Sequence, residues 1–201
     1  MSTKHTKGVL DLTFMDIENE ETLGTQIRNE SVKQIRSPMK TRSASKSLGA
    51  TEVSAFPEEI TAVRLSNNKL DSMEQLVAPM LANIDTSKIL WLDLSFNQLT
   101  SLGNGEIVPG AFPNVTTIYL HANKISKLAQ LKKLKNFPNL KSLSLYGNPI
   151  EEHKHYRNYV MYMCPNLHQF DSSPLTSSEK TKNLVWAQTF RKVLNKEEDD
   201  W

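Results

Sequence analysis

The chain has 201 residues, 38% of them hydrophobic, one cysteine (Cys164) and a formal net charge of +2 at pH 7. A balance so near neutral excludes a wholesale electrostatic nucleic-acid binder, which would carry a basic face and a domain pI above ~9. One cysteine excludes an internal disulfide framework and a cysteine-rich zinc site, and no segment reaches the ~18 consecutive apolar residues of a membrane span. The expectation is a soluble protein of a reducing, cytoplasmic compartment, with no apolar signal segment in its first residues.

In chain order, residues 1–55 read as an extended, basic arm, rich in Ser, Thr, Lys and Glu and poor in the aromatics that would give it a core. Lys33, Arg36, Lys40, Arg42 and Lys46 alternate with Ser37, Ser43, Ser45 and Ser47. That run reads as a solvated tail, or as an arm for an acidic surface that phosphorylation at Ser37 could regulate.

From 56 to 175 the chain repeats. One template, apolar-x-x-apolar-x-Leu-x-x-Asn-x-apolar, fits Ile60–Leu70, Ile89–Leu99, Val115–Ile125 and Leu140–Ile150, and a degenerate unit begins at Leu167 and Phe170. Its asparagines, Asn68, Asn97, Asn123 and Asn148, are spaced by 29, 26 and 25 residues. Leucine-rich repeats run ~20–29 residues, so the pattern predicts an α/β leucine-rich-repeat solenoid. Its parallel strands line a concave face, with short helices and loops on the convex side. No unit can bury its apolar face alone, so the units must stack. Each Asn falls where the chain leaves the strand, and its amide can donate and accept, satisfying backbone groups that the turn removes from the ladder.

Between the strands, Ser72 and Gln75 read as a capping box for a helix carrying Met73, Leu76, Val77, Met80, Leu81 and Ile84, interrupted on its outer face by Pro79. Gly103, Gly105, Pro109 and Gly110 predict a loop. Leu128, Leu131 and Leu134, recurring every three residues before Phe137, predict a short or 3₁₀-like helix. Tyr156, Val160 and Met163 share one helical face that closes the C-terminal end. Residues 176–201 read as a helix opened by Thr176-x-x-Glu179 and ending in an acidic tail. Leu184, Trp186, Phe190 and Val193 make it amphipathic, either packed on the solenoid or offered to a partner.

Alternation along the strands turns register into a surface map. Three outward columns result: Ala62, Trp91, Thr117, Ser142 and Gln169; Arg64, Asp93, Tyr119, Ser144 and Asp171; and Ser66, Ser95, His121, Tyr146 and Ser173, with Phe96 beside the last. Large aromatics dominate binding hot spots. The candidate partner-binding residues are therefore Arg64, Trp91, Asp93, Phe96, Tyr119, His121 and Tyr146 on the face, with Trp186 and Phe190 on the terminal helix. Phe96 also reads as a residue that shields a strand edge. No catalytic, cofactor or metal site is expected. His153 and His155 beside Glu151 and Glu152 lack zinc-ligand spacing, Gly103-Asn104-Gly105 is no phosphate loop, and Cys164 reads as core.

The pattern NPI…YRNYV…CPNLHQFD resembles the C-terminal cap of a leucine-rich-repeat family that includes a phosphatase regulator, a spliceosomal A-prime protein and an axonemal dynein light chain. The stretches KTRSASKSL, LWLDLSFNQLTS, IYLHANKI, LSLYGNPIEE and YRNYV, with Val185-Trp186, further resemble a family of small ciliary leucine-rich-repeat proteins. The resemblance implies a non-enzymatic interaction module of the ciliary or flagellar axoneme, with tubulin or other axonemal proteins as partners. It implies neither nucleic acid nor membrane binding, and self-association is not expected. The alternative is a soluble regulatory adaptor of the phosphatase-regulator or spliceosomal kind.

Overall fold

A computed structural model describes residues 8–36 and 59–197. Lys40, Arg42 and Lys46 of the basic run, Ser37 and its neighbouring serines, and the tail beyond Glu197 lie outside them.

Seven short strands form one sheet in sequence order: β1 (Val9–Asp11), β2 (Ala62–Arg64), β3 (Trp91–Asp93), β4 (Thr117–Tyr119), β5 (Ser142–Ser144), β6 (Gln169–Phe170) and β7 (Ser173–Pro174). All pairs are parallel except β6 with β7. The middle residue of each strand from β1 to β5 points inward: Leu10, Val63, Leu92, Ile118 and Leu143 are each no more than 1% exposed. Ala62, Trp91, Thr117, Ser142 and Gln169 align across the sheet, and so do Arg64, Asp93, Tyr119 and Ser144. The third column ends at Tyr146, because Ser173 turns back in β7 to pair with Phe170.

The asparagine ladder forms along its whole length. Asn97 donates to the carbonyls of Leu65 (2.9 Å) and Leu94 (3.1 Å) and accepts the Leu70 N–H (3.1 Å). Asn123 serves Leu94, Leu120 and Leu99 in the same way, and Asn148 serves Leu120, Leu145 and Ile125. Asn68 reaches back to Leu12, Met15 and Ile17. Asp171 ends the ladder: its carboxylate accepts the N–H groups of Leu145 (2.6 Å) and Tyr146 (3.1 Å) and the Tyr156 hydroxyl (2.7 Å). Burial and that carboxylate both raise the Tyr156 phenol far above its ordinary range.

The expectation of an arm without a core is corrected for residues 8–33. There the chain adds a repeat-like unit at the N-terminal end, with β1 in register on β2 and α1 (Glu20–Arg36) packed against α2 (Val77–Asn83). Leu10, Leu12, Ile17, Leu23 and Ile27 are completely or almost completely buried. The first apolar layer of any solenoid needs such a cover.

The convex side also departs from expectation. Ser72 and Gln75 do form a capping box, but on a 3₁₀ turn, Met73–Leu76, that leads into α2. Pro79 sits inside the first turn of α2, where its missing N–H breaks no helical bond, and it is buried rather than outward. Leu81, expected on the buried stripe, is 56% exposed. The expected loop after Asn97 contains a helix, α3 (Ile107–Ala111), which buries Val108 and Ala111. Gly103, at φ +71°, fits because an added Cβ would lie 2.9 Å from the Glu74 nitrogen. The segment at Leu128 is α4 (Leu128–Leu131) continued as a 3₁₀ helix through Asn136.

At the C-terminal end, α5 (Tyr156–Met163) buries Tyr156, Tyr159 and Val160, and α6 (Ser177–Glu197) packs on α5. Among the described side chains of α6, Asn183 and Ala187 are buried and Trp186 and Phe190 pack partly buried against the core as expected, whereas Leu184 is 64% exposed. Cys164 is buried, and desolvation pushes its thiol up to about 12.

Candidate functional site

The in-register sheet turns scattered aromatics into one row. Trp91 meets the Tyr119 ring edge-on at 5.6 Å. Tyr119 meets His121 at 6.0 Å, and His121 stacks on Tyr146 at 4.6 Å with ring planes 9° apart. Phe96 packs edge-on against His121 at 5.4 Å. The Arg64 guanidinium caps the other end, 5.0 Å from the centre of the Trp91 ring and 3.6 Å from the Asp11 carboxylate.

The polar neighbours hold this row in place. Asp93 accepts the N–H (3.1 Å) and the hydroxyl (2.6 Å) of Ser95, so its carboxylate pins the strand exit. His121 Nδ1 lies 2.8 Å from the Ser144 hydroxyl. Desolvation holds the imidazole below its ordinary value of 6.5, against the opposing pull of Asp93 and Asp171. The central ring is therefore neutral at physiological pH.

Two features of the row carry a cost in the isolated protein. The Trp91 indole nitrogen is buried without a hydrogen-bond partner, and an unmet buried donor costs ~1–3 kcal/mol. Phe96 sits at φ 53°, left-handed for a bulky residue, and is 53% exposed. Phe14 at φ 56°, Asn67 at φ 60°, Ala122 at φ 55° and Gly147 at φ 70° share that turn position in the other units. Phe14, 76% exposed, was missed in the sequence because its unit lacks the asparagine. The surviving signal is Leu10-x-Leu12-x-x-Met15-x-Ile17, the repeat core with Met15 in the asparagine's place.

Arg64, Trp91, Asp93, Phe96, Tyr119, His121 and Tyr146 thus share one surface. Trp186 and Phe190 do not join it. They stack on each other at 5.6 Å and tilt against His155 at 5.4 and 5.0 Å, at the junction of α5 and α6. Arg157 anchors the same junction by donating to Glu179 at 2.7 Å, which holds the Glu179 carboxyl below its ordinary range. Asp171, placed among the outward residues, serves as the ladder's terminator. Among the described residues no group of three or more His, Cys, Asp or Glu is placed to hold a metal ion, and no helix is long and apolar enough to cross a membrane.

Comparison with known proteins agrees with this architecture. A family model described as leucine-rich repeat matches residues 27–197. Leucine-rich repeat-containing protein 51 of Mus musculus is 32% identical over 189 residues, covering 92% of this chain and 88% of the mouse protein. The Bos taurus protein of the same name is 40% identical over 125 residues, 61% of this chain and 62% of its own length. Among solved structures, a chain of the Drosophila melanogaster SNF/U2A' complex superposes with a TM-score of 0.67 at 21% identity, covering 94% of this chain and 87% of that one.

Proposed function

This chain belongs to the leucine-rich-repeat family, and from that premise we propose that its concave strand face captures a protein partner through the row Trp91, Tyr119, His121 and Tyr146. The carrying observation is the row itself, a run of large rings in mutual contact across three repeat units of one face. Phe96 supports it, since it is 53% exposed and packs edge-on against His121, extending the apolar surface of the row. Rigid aromatics bury large areas with little loss of side-chain entropy, which suits them as anchors. Arg64 and Asp93 at the margin supply register and orientation more than affinity.

The finer reading is a structural component of the ciliary or flagellar axoneme docked on tubulin or another axonemal protein. It draws on the resemblance to small ciliary leucine-rich-repeat proteins. A tagged chain expressed in ciliated cells should then stay with axonemes through detergent and salt washing. Trp91→Ala and Tyr146→Ala should release it while keeping its circular-dichroism spectrum, and cross-linking mass spectrometry on intact cilia should place its neighbour against the concave face. Retention unaffected by either substitution sinks the concave assignment. A wild-type chain that washes out refutes the axonemal reading and favours a soluble adaptor, which the likeness to a chain of the SNF/U2A' complex supports.

A further inference from the structure

The centre of the concave row holds one polar atom that the chain itself leaves unused. His121 spends Nδ1 on the Ser144 hydroxyl at 2.8 Å, and its Nε2 makes no hydrogen bond among the described residues. That nitrogen is not buried: among the described residues the Trp91 indole nitrogen is the one buried side-chain nitrogen or oxygen without a partner. Tyr146 stacks on the imidazole at 4.6 Å, Phe96 stands edge-on to it at 5.4 Å and Tyr119 tilts at 6.0 Å. Phe96 and Tyr146 are exposed, so a group that reaches Nε2 meets apolar rings beside it.

Which imidazole nitrogen carries the proton follows from the bond that the other one makes. Ser144 is buried on β5, and its hydroxyl has no partner but His121 among the described residues. If that hydroxyl only accepted from an Nδ1–H, its own buried hydrogen would go unmet, at the cost of a lost hydrogen bond. If it donates, Nδ1 is the acceptor and the proton of the neutral ring sits on Nε2. Desolvation keeps the ring neutral, so it has that one proton to place.

The two carboxylates that act on the ring have other bonds to make. Asp93 accepts from the Ser95 N–H and hydroxyl, and Asp171 accepts from the N–H groups of Leu145 and Tyr146 and from the Tyr156 hydroxyl. Their negative charge still reaches His121. A partner carboxylate brought to Nε2 meets that field as a like charge, whereas a neutral carbonyl oxygen does not. Resting on the concave-capture reading, we propose that His121 is the specificity-determining residue of the row. Its Nε2–H donates to an uncharged amide carbonyl of the protein partner, next to an aliphatic side chain that covers Phe96 and Tyr146.

Two NMR measurements on the full chain test this at ~pH 7.5, where the ring is neutral. Long-range proton–nitrogen correlation spectra of the free chain should show His121 protonated at Nε2 and bare at Nδ1. The opposite tautomer overturns the proposal and leaves the capture reading standing. N-acetyl-leucine-N-methylamide then offers a neutral carbonyl beside an aliphatic side chain, and N-acetyl-leucine offers a carboxylate there. The amide should shift the ring signals of His121, Phe96 and Tyr146 and bind ~3–10-fold more tightly than the carboxylate. His121→Phe keeps a ring but no donor, and should weaken the amide ~3–10-fold while leaving toluene, which has no acceptor, unchanged. Equal binding of amide and carboxylate, or undiminished amide binding by His121→Phe, overturns the donor alone. If neither the amide nor toluene shifts any ring of the row, the capture reading falls and the proposal with it.

Discussion

Replacing Asn97 by alanine tests the physical account of the ladder. The substitution removes the acceptor of the Leu70 N–H, in a residue with 0% exposure, and the donors to Leu65 and Leu94. The two carbonyls do not become orphans: Leu65 still accepts from Asn68 at 2.9 Å, and Leu94 from Asn123 at 3.0 Å. The loss therefore concentrates on one buried N–H, ~1–3 kcal/mol, with a smaller share from the two weakened carbonyls, for ~2–4 kcal/mol in all. At ~2–4 °C per kcal/mol for a domain of this size, the melting temperature should fall by ~4–16 °C. Asn68→Ala should cost more, because that side chain accepts two N–H groups, from Met15 and Ile17. Thermal unfolding followed by circular dichroism reads both. A drop below ~2 °C for Asn97→Ala, or a smaller drop for Asn68→Ala than for Asn97→Ala, refutes the assignment of the cost to unmet backbone donors.

Gly103→Ala forces a Cβ into a left-handed backbone 2.9 Å from the Glu74 nitrogen. It should destabilise by ~1–3 kcal/mol in urea unfolding, and an unchanged midpoint would show that the two convex segments do not press together there. The His121 ring signals in NMR should titrate with a midpoint below 6.5. A base whose folded value lies below its unfolded value adds stability above the unfolded value and loses it as pH falls through the folded one. Wild-type stability should therefore decline more than that of His121→Phe on acidification below about pH 6.5, and a midpoint at or above 6.5 contradicts the buried neutral ring. Cys164, buried and with its thiol pushed up to about 12, holds little thiolate and should react only slowly with iodoacetamide at pH 8. Its native labelling should be ~10³-fold slower than that of the denatured chain, and comparable rates would place the thiol at the surface.

The errors of sequence reading share one cause. Pro79 reads as an interruption because position within a helix is invisible until the helix start is known, and that start lay a 3₁₀ turn later than the capping box suggested. Leu184 reads as part of an apolar stripe, yet α5 selects the face carrying Asn183 and Ala187. There Asn158 donates to Asn183 at 2.9 Å. Residues 8–33 read as a tail because their charged composition hides five apolar positions whose value depends on a neighbour 53 residues away, as in the Met15–Asn68 bond.

By itself the sequence determined the repeat: a period of 25 to 29 residues and a fixed asparagine admit one stacked architecture, because each unit's bonds are completed only by the next. Strand alternation also assigned each side chain to a face, although Ala62, Ser66, Ser95 and Ser144 of the expected outward columns are buried among their neighbours there. Tertiary structure alone decided which outward side chains touch. The rings of Trp91, Tyr119, His121 and Tyr146 come from three repeat units and lie up to 55 residues apart, and only stacking at the spacing of paired strands makes them one surface. It also decided what closes each end, because a cap is defined by the layer it covers rather than by any pattern of its own.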